Sequence, residues 1–178
     1  MTAPLSKPDK TLLFSMLSFT LGCAMWLGSL VFFGIGVAPI LFKILPSKDL
    51  AGAVNAVILH RLNMLELAGA TLIGVGIVLV WQRLAKRDRI VLVGILVGML
   101  LIWCAYALVI TAEMNTLRAA INSFDAPSTA SLESVKAFRG LHSWYSRLVG
   151  ANMLAAIVLI VVQTRLYLRL AVFSANRV

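Results

Sequence analysis

Charged side chains are scarce in this sequence of 178 residues: they make up 13% of it, whereas 61% of the residues are hydrophobic. Soluble domains typically hold about a quarter charged and about half apolar residues. A soluble domain of this length has too little interior to bury so much apolar surface. A bilayer removes the difficulty, because lipid solvates the outer faces of the helices. The composition therefore excludes an ordinary soluble domain and predicts a membrane protein.

Acidic residues are also few, seven against 16 basic ones, which gives a formal net charge of +9. Such an excess can indicate a nucleic-acid-binding surface. Here the basic residues gather at the ends of hydrophobic runs instead of on one polar face, as topology signals of membrane proteins do. We therefore expect the lipid bilayer as a partner of this chain, and no nucleic acid.

The patterns of the common catalytic and metal sites are missing. The two cysteines, Cys23 and Cys104, lie inside apolar runs, and we expect both to be small core residues and not zinc ligands or a disulfide. No nucleophile–base pair, phosphate loop or metal-ligand spacing is visible. The sequence therefore predicts a protein that is not an enzyme and implies no cofactor.

Four apolar runs predict an all-α, integral membrane four-helix bundle with long antiparallel transmembrane helices, in one domain over residues 1–178. The spans are predicted at roughly 11–45, 48–85, 88–121 and 131–170. Each exceeds the about 20 residues that a bilayer requires. The first run is too long for a signal peptide and lacks its cleavage site, so we interpret it as a permanent span.

Local signals add detail to these helices. Pro39 predicts a kink near the outer end of the first helix, since proline removes a backbone hydrogen bond. Ser47 is predicted to cap the second helix, with Asp49 in its first turn. Gly94 and Gly98 form a GxxxG pair, a pattern that allows two helix backbones to approach closely.

The distribution of basic residues predicts the orientation. The two termini and the turn at residues 83–89 together hold nine basic and two acidic residues, whereas the opposite side holds seven basic and five acidic ones. Cytoplasmic loops carry the excess of lysine and arginine. The sequence therefore predicts a multi-pass protein of the cell (inner) membrane with both termini in the cytoplasm.

Polar side chains are expected to form one layer near the outer membrane face. At about 1.5 Å per residue, Glu66 lies roughly 25 Å from Arg83, and Arg147 lies roughly 27 Å from Arg165. The remaining charged and histidine side chains of the layer lie farther out. The predicted polar cluster, or ligand pocket, consists of His60, Arg61, Asn63, Glu66, Glu113, Arg118, His142, Arg147 and Asn152.

This cluster has three interpretations. In the first, it is a structural clamp, in which Glu66 and Arg147 form an ion pair and Glu113 and Arg61 join them. Alternatively, it is a pocket for a small molecule, a metal ion or a lipid headgroup, used in binding, transport or resistance. In the third, the long side chains only extend to the headgroups. The first interpretation predicts a non-catalytic structural or accessory subunit, in a homo-oligomer or a larger membrane complex.

The two histidines are the metal candidates. His60 and His142 are expected at similar depth on different helices, where they could bind a metal ion together with Glu66 and Glu113. Two histidines across a bundle could also hold a haem. However, no HxxxH, CxxC or ExxH pattern is present, so only their depth supports a metal site.

Short blocks of sequence resemble a known family. They are 26–33 (WLGSLVFF), 38–42 (APILF), 45–46 (LP), 51–52 (AG), Arg118, 138–143 (FRGLHS) and Asn152. In their order and spacing the chain resembles the transmembrane-protein-205-like family. The resemblance implies a four-helix membrane bundle, with Arg118 and His142 as motif positions. Some eukaryotic relatives are associated with tolerance of toxic metal drugs, but no mechanism carries over to particular residues.

Overall fold

Four long helical segments make up the part of the chain that the structure describes. The computed structural model describes residues 9–175, with the side chains of residues 9–172. Within that part it is all-α, and four segments are long and apolar enough to cross a membrane: Lys10–Ile44, Lys48–Leu79, Lys86–Ala120 and Thr129–Val172. The predicted fold class, a membrane-spanning four-helix bundle, is confirmed.

The first span changes its helical pitch towards its second end. It consists of α1 (Lys10–Val31), a π-helical segment (Phe32–Val37) and α2 (Ala38–Ile44). Pro39 has no N–H group to continue the regular hydrogen-bond ladder, and the π-helical segment ends at Val37, two residues before it. The irregularity predicted at Pro39 therefore takes the form of a widened helical segment.

Asp9 fixes the beginning of this span. Its Oδ1 atom accepts a hydrogen bond from the N–H of Leu12 at 3.2 Å, so it caps α1. Its Oδ2 atom forms a salt bridge with Arg83, which follows the second span. The hydrogen bond from Arg83 holds the pKa of Asp9 below its usual range. This end of the bundle, which also includes the end of the fourth span, is called the terminal end below.

The second span is α3 (Lys48–Leu79), and it begins as predicted. Ser47 Oγ accepts a hydrogen bond from the Leu50 N–H at 3.1 Å, which confirms the N-cap, and Asp49 lies in the first turn. The predicted end at residue 85 is wrong. Val80 leaves the helical conformation, with φ −108° and ψ 7°, and a 3₁₀ turn follows. The chain needs these residues to reverse direction before the third span.

The third and fourth spans complete the bundle. Their elements are α4 (Lys86–Cys104), a second π-helical segment (Ala105–Ile110), α5 (Thr111–Ala120), a 3₁₀ turn (Thr129–Ser131) and α6 (Leu132–Ala175). Around the bundle, α1 contacts α3, α3 contacts α4, α4 and α5 contact α6, and α6 contacts α1. The connections at 45–47 and 121–128 lie together at the end opposite the terminal end, which is called the loop end.

The closest helix packing joins α1 to α3. A Cβ atom added to Gly22 would lie 2.5 Å from the carbonyl oxygen of Gly69, and one added to Gly69 would lie 2.8 Å from the carbonyl oxygen of Gly22. Ser18 Oγ donates a hydrogen bond to the Leu72 carbonyl at 2.8 Å across the same contact. Only glycine permits this separation of backbones, as at other membrane helix interfaces.

Two expectations about packing are corrected here. A Cβ atom at Gly94 or Gly98 would have no neighbour within 4 Å among the described residues, so the close approach that this GxxxG pair allows is not made with any helix described. Cys23 is buried as expected, but Cys104 is exposed. An apolar run on a membrane helix has a lipid-facing side as well as a core side, and hydrophobicity alone does not separate them.

The core lies between the helices and is rich in aromatic side chains. Trp26 is fully buried and Trp103 is nearly so. The outer surface carries large exposed apolar side chains on all four spans, for example Phe32, Val78 and Leu101. This arrangement is the one that lipid as solvent favours.

Candidate functional site

A cavity of about 690 Å³ opens at the loop end, between α3, α5 and the beginning of α6. This volume lies within the range of small-molecule sites. Its wall is mostly apolar, and its positively chargeable lining residues are Lys48, His60, Arg61, Arg118, Arg139 and His142. None of its lining residues is acidic. The cavity therefore combines an apolar volume with ionisable side chains that can carry positive charge but not negative charge.

Helical periodicity brings these residues together. On α6, Phe138, His142 and Tyr145 follow one another at spacings of four and three and all line the cavity. On α3, a stripe from Lys48 through Asn55 to Asn63 does the same, and Asn55 Oδ1 is buried without a hydrogen-bond partner among the described residues. Most of the cavity wall is thus formed by the faces of helices.

Arg118 lines the cavity and binds two backbone carbonyl groups of α3. Its Nη1 donates to the carbonyl of Gly52 at 2.7 Å, and its Nη2 donates to the carbonyl of Asp49 at 3.1 Å. A Cβ atom on Gly52 would lie 3.1 Å from Arg118 Nη2, so the absence of a side chain at Gly52 makes room for the guanidinium. Arg118 therefore joins α5 to the first turns of α3 and has fewer N–H groups left for a ligand.

The connection 121–128 is tied to the beginning of α3 by two carboxylates. Asp49 accepts hydrogen bonds from Ser123 Oγ at 2.6 Å and from Phe124 N at 2.8 Å. Asp125 Oδ2 accepts a hydrogen bond from Lys48 N at 2.8 Å, one of the N–H groups that a helix start leaves open. Phe124, which lines the cavity, packs edge-to-face on Phe138 at 4.9 Å. These contacts fix the roof of the cavity.

A buried polar network lies behind the cavity. Tyr106 donates its hydroxyl hydrogen to Glu66 Oε1, and Asn152 Nδ2 donates to Tyr106 Oη at 3.3 Å and to the Met99 carbonyl at 3.2 Å. Glu66, Tyr106 and Asn152 are all 0% exposed. The ring of Tyr106 packs edge-to-face on Tyr145 at 5.4 Å, and Tyr145 faces the cavity. The network therefore touches the cavity wall through one aromatic contact.

This network is incompletely satisfied. Glu66 Oε2 and Asn152 Oδ1 have no hydrogen-bond partner among the described residues. The indole Nε1 of Trp103 is also buried without a hydrogen-bond partner among the described residues. Polar side chains are costly to bury unpaired, and inside a membrane they commonly indicate function.

The family model described as a domain of unknown function, DUF4149, matches residues 21–123, more than half of the chain. The protein belongs to the DUF4149 family. No curated protein and no solved structure gave a significant match. The matched segment of this DUF4149 protein holds Gly52, Glu66, Tyr106 and Arg118, whereas the α6 side of the cavity lies beyond it.

The structure separates the predicted cluster of this DUF4149 protein into three groups. His60, Arg61, Asn63, Arg118 and His142 line the cavity. Glu66 and Asn152 lie buried behind it. Glu113 and Arg147 are exposed and take no part in it.

The predicted ion pair between Glu66 and Arg147 is wrong. Arg147 follows the buried Tyr145 by two residues, about 200° around the helix, so it points away from the core. Its guanidinium instead lies 5.1 Å from the Trp144 ring. The wider clamp with Glu113 and Arg61 is also wrong, because the only salt bridge among residues 9–172 joins Asp9 to Arg83.

Tyr106 is the main residue that the sequence reasoning missed. It stands 17 residues after Arg89, and Glu66 stands 17 residues before Arg83. The same depth arithmetic therefore finds it once tyrosine is counted with the charged residues. The role of Asp125 could not be predicted from depth, because its partner is the backbone N–H of Lys48, 77 residues away in the sequence.

The two histidines line the same cavity. Within residues 9–175 no group of three or more His, Cys, Asp or Glu side chains is placed to hold a metal ion. A structural zinc site takes four protein ligands and a catalytic one three. The described geometry therefore supports an anion-binding cavity more strongly than a metal site.

Proposed function

We propose that this DUF4149 protein is a non-catalytic membrane protein that binds an amphiphile with an anionic headgroup in the loop-end cavity. The observation that carries the proposal is the cavity itself: a largely apolar volume of about 690 Å³ with six basic or histidine side chains and no acidic one. An anion gains charge-assisted hydrogen bonds there, and the apolar wall receives its chain.

The available donors support the anionic headgroup. The side chains of Lys48, His60, Arg61, Arg139 and His142 make no hydrogen bond or ion pair with another described residue, unlike Arg118. Unpaired cationic groups gathered around an apolar space repel one another and attract an anion. A cationic ligand meets the opposite situation, since it finds no carboxylate on the cavity wall.

We also propose an orientation in the membrane and a relationship to the transmembrane-protein-205-like family. The excess of basic residues near the terminal end supports cytoplasmic termini in the inner membrane, with the cavity open to the outer face. The residues that carry the resemblance to the transmembrane-protein-205-like family support that relationship, since Gly52, Arg118 and His142 meet at the cavity and Asn152 lies in the network behind it.

Replacing one cavity arginine should weaken binding selectively. We expect Arg139→Gln to raise the Kd of dodecyl phosphate about tenfold, the effect of losing roughly 1.4 kcal/mol of interaction. The purified chain in a non-ionic detergent is titrated with dodecyl phosphate and with dodecyltrimethylammonium, which has the same chain and the opposite charge. Binding is followed as the rise in the melting temperature.

Arg147→Gln is the matched control. It removes the same charge from the same helix, but Arg147 is exposed outside the cavity, so its Kd for dodecyl phosphate should equal that of the natural chain. Equal stabilisation by both amphiphiles, or equal loss in both variants, contradicts the proposal. A stable oligomer or partner at fixed ratio, with no response to either amphiphile, indicates the alternative function of an accessory subunit.

A further inference from the structure

A second depression, of about 260 Å³, lies at the terminal end between the first turns of α4 and the last turns of α6. Arg87 enters it from α4, and Arg165 and Arg169 enter it from α6. Asp88 is the single acidic residue among the described residues of its wall, so the described charged groups that face it are three cations and one anion. We call it the arginine groove. It is remote from the loop-end cavity and shares no residue with it.

The arginines of this end fall into two classes. Arg83 is paired with Asp9, and Arg89 donates its Nε–H to the Leu84 carbonyl at 3.0 Å and lies 5.0 Å from the Trp81 ring. The arginines of the groove make no hydrogen bond or ion pair with any described residue. The structure therefore distinguishes arginines with a partner from arginines that have none among residues 9–172.

The positive charges of the groove arginines repel one another. Arg165 and Arg169 are four residues apart on α6, so their charges are neighbours on one helix face and repel each other. Arg87 approaches the same depression from another helix. α4 also begins here, and its N-cap residue Ala85 supplies no side-chain hydrogen bond to the open N–H groups of the first turn. An anion in the groove offsets both the repulsion and the open helix start.

The walls of the groove favour a lipid as the source of that anion. Val91, Val162 and Leu166 supply its apolar side. Towards the bilayer centre, Gly94 and Gly98 continue the face of α4 on which Val91 lies, and a Cβ atom at either glycine would meet nothing within 4 Å. An acyl chain can lie along this open face while the headgroup contacts the arginines.

We propose that the arginine groove binds the phosphate headgroup of an anionic phospholipid, with an acyl chain along the Gly94–Gly98 face. The three guanidinium groups supply the charge-assisted donors for the phosphate oxygens. Basic pockets between membrane helices are suited to such headgroups. This site is independent of the loop-end cavity, so either proposal can fail without the other.

The test uses the purified full-length chain and native mass spectrometry of its lipid complexes. We expect phosphatidylglycerol to bind about tenfold more tightly than phosphatidylcholine of the same chains, because only the former leaves its phosphate charge uncompensated. The double variant Arg165→Gln/Arg169→Gln should lose this preference. Its elution as a single species and its helix content by circular dichroism report whether it is folded.

Arg83→Gln/Lys86→Gln is the matched control, since it removes two charges from the same end of the bundle and neither residue lines the groove. It should keep the preference for phosphatidylglycerol. Equal affinity for the two lipids, or equal loss in both double variants, overturns the proposal. Millimolar inorganic phosphate should not displace the lipid; displacement assigns the groove to a soluble phosphate and overturns the lipid assignment.

Discussion

Gly22→Ala and Gly69→Ala are each expected to lower the free energy of unfolding by about 1–3 kcal/mol, and leucine at either position should prevent the bundle from forming. The added methyl group would lie 2.5 Å and 2.8 Å, respectively, from a backbone carbonyl oxygen of the facing helix. A backbone atom cannot move aside as a side chain can, so α1 and α3 must separate. Unfolding in mixed detergent micelles, followed by circular dichroism, measures the loss.

Separation of these helices has consequences beyond the contact itself. Ser18 Oγ bonds to the Leu72 carbonyl, and Ser15 Oγ bonds to the Gly76 carbonyl at 2.5 Å, both across the same interface. A wider spacing breaks these hydrogen bonds and leaves buried Ser15 without one of its partners. The loss at Gly22 and at Gly69 should therefore not be recovered by local adjustment.

Gly94→Ala and Gly98→Ala form the control pair, with the same substitution in the same kind of helix. A Cβ atom at these positions has no neighbour within 4 Å. We expect unchanged stability or a gain of up to about 1 kcal/mol, since alanine favours the helix more than glycine does. If the two glycine pairs lose equal stability, the close packing of α1 on α3 is not the cause.

The contrast between these glycines shows what the sequence could predict about the fold. Length and hydrophobicity determine each span separately, so the four spans and the Ser47 cap could be predicted, whereas the end of the second helix at Leu79 could not. A GxxxG spacing describes one helix, whereas a close contact needs a matching small residue on a second helix. Gly22 and Gly69 are joined only by the three-dimensional pairing of α1 with α3, and no spacing within one helix indicates that pairing.

For the candidate site, too, the sequence could predict one property of each residue and not another. Distance along a helix is readable from residue number, so the depth of His60, His142 and Glu66 could be predicted. The direction around the helix is harder, since a shift of two residues turns a side chain about 200°. On α3, Gly69 and Ile73 continue the face of Glu66 and all three residues are buried, so small and apolar neighbours indicate the direction of this carboxyl group. Arg147 had no such reference, and its direction follows only from the buried Tyr145.

Tyr106→Phe is expected to lower the free energy of unfolding by about 1–3 kcal/mol, because it removes a hydroxyl group that serves two buried partners. The Tyr106 hydroxyl donates to Glu66 Oε1 and accepts from Asn152 Nδ2. Asn152 keeps its bond to the Met99 carbonyl, whereas Glu66 loses the one hydrogen bond that its carboxyl group makes with described residues, since Oε2 already lacks a partner. The cost should therefore arise mainly at Glu66.

A double-mutant cycle between Glu66 and Tyr106 tests that origin. Glu66→Leu strands the Tyr106 hydroxyl hydrogen and Tyr106→Phe strands the carboxyl group, but the double variant strands neither, so it should recover part of the combined loss. We expect a coupling of about 1 kcal/mol, between the average of about 0.6 and the maximum of about 1.7 kcal/mol from double-mutant cycles on hydrogen bonds between membrane helices. The parallel cycle between Glu66 and Arg147 should give no coupling, because Arg147 lies on the opposite face of α6 from Tyr145 and contacts Trp144. Additive losses in the first cycle together with coupling in the second would show that the carboxyl group of Glu66 faces Arg147 and not Tyr106 in the folded protein.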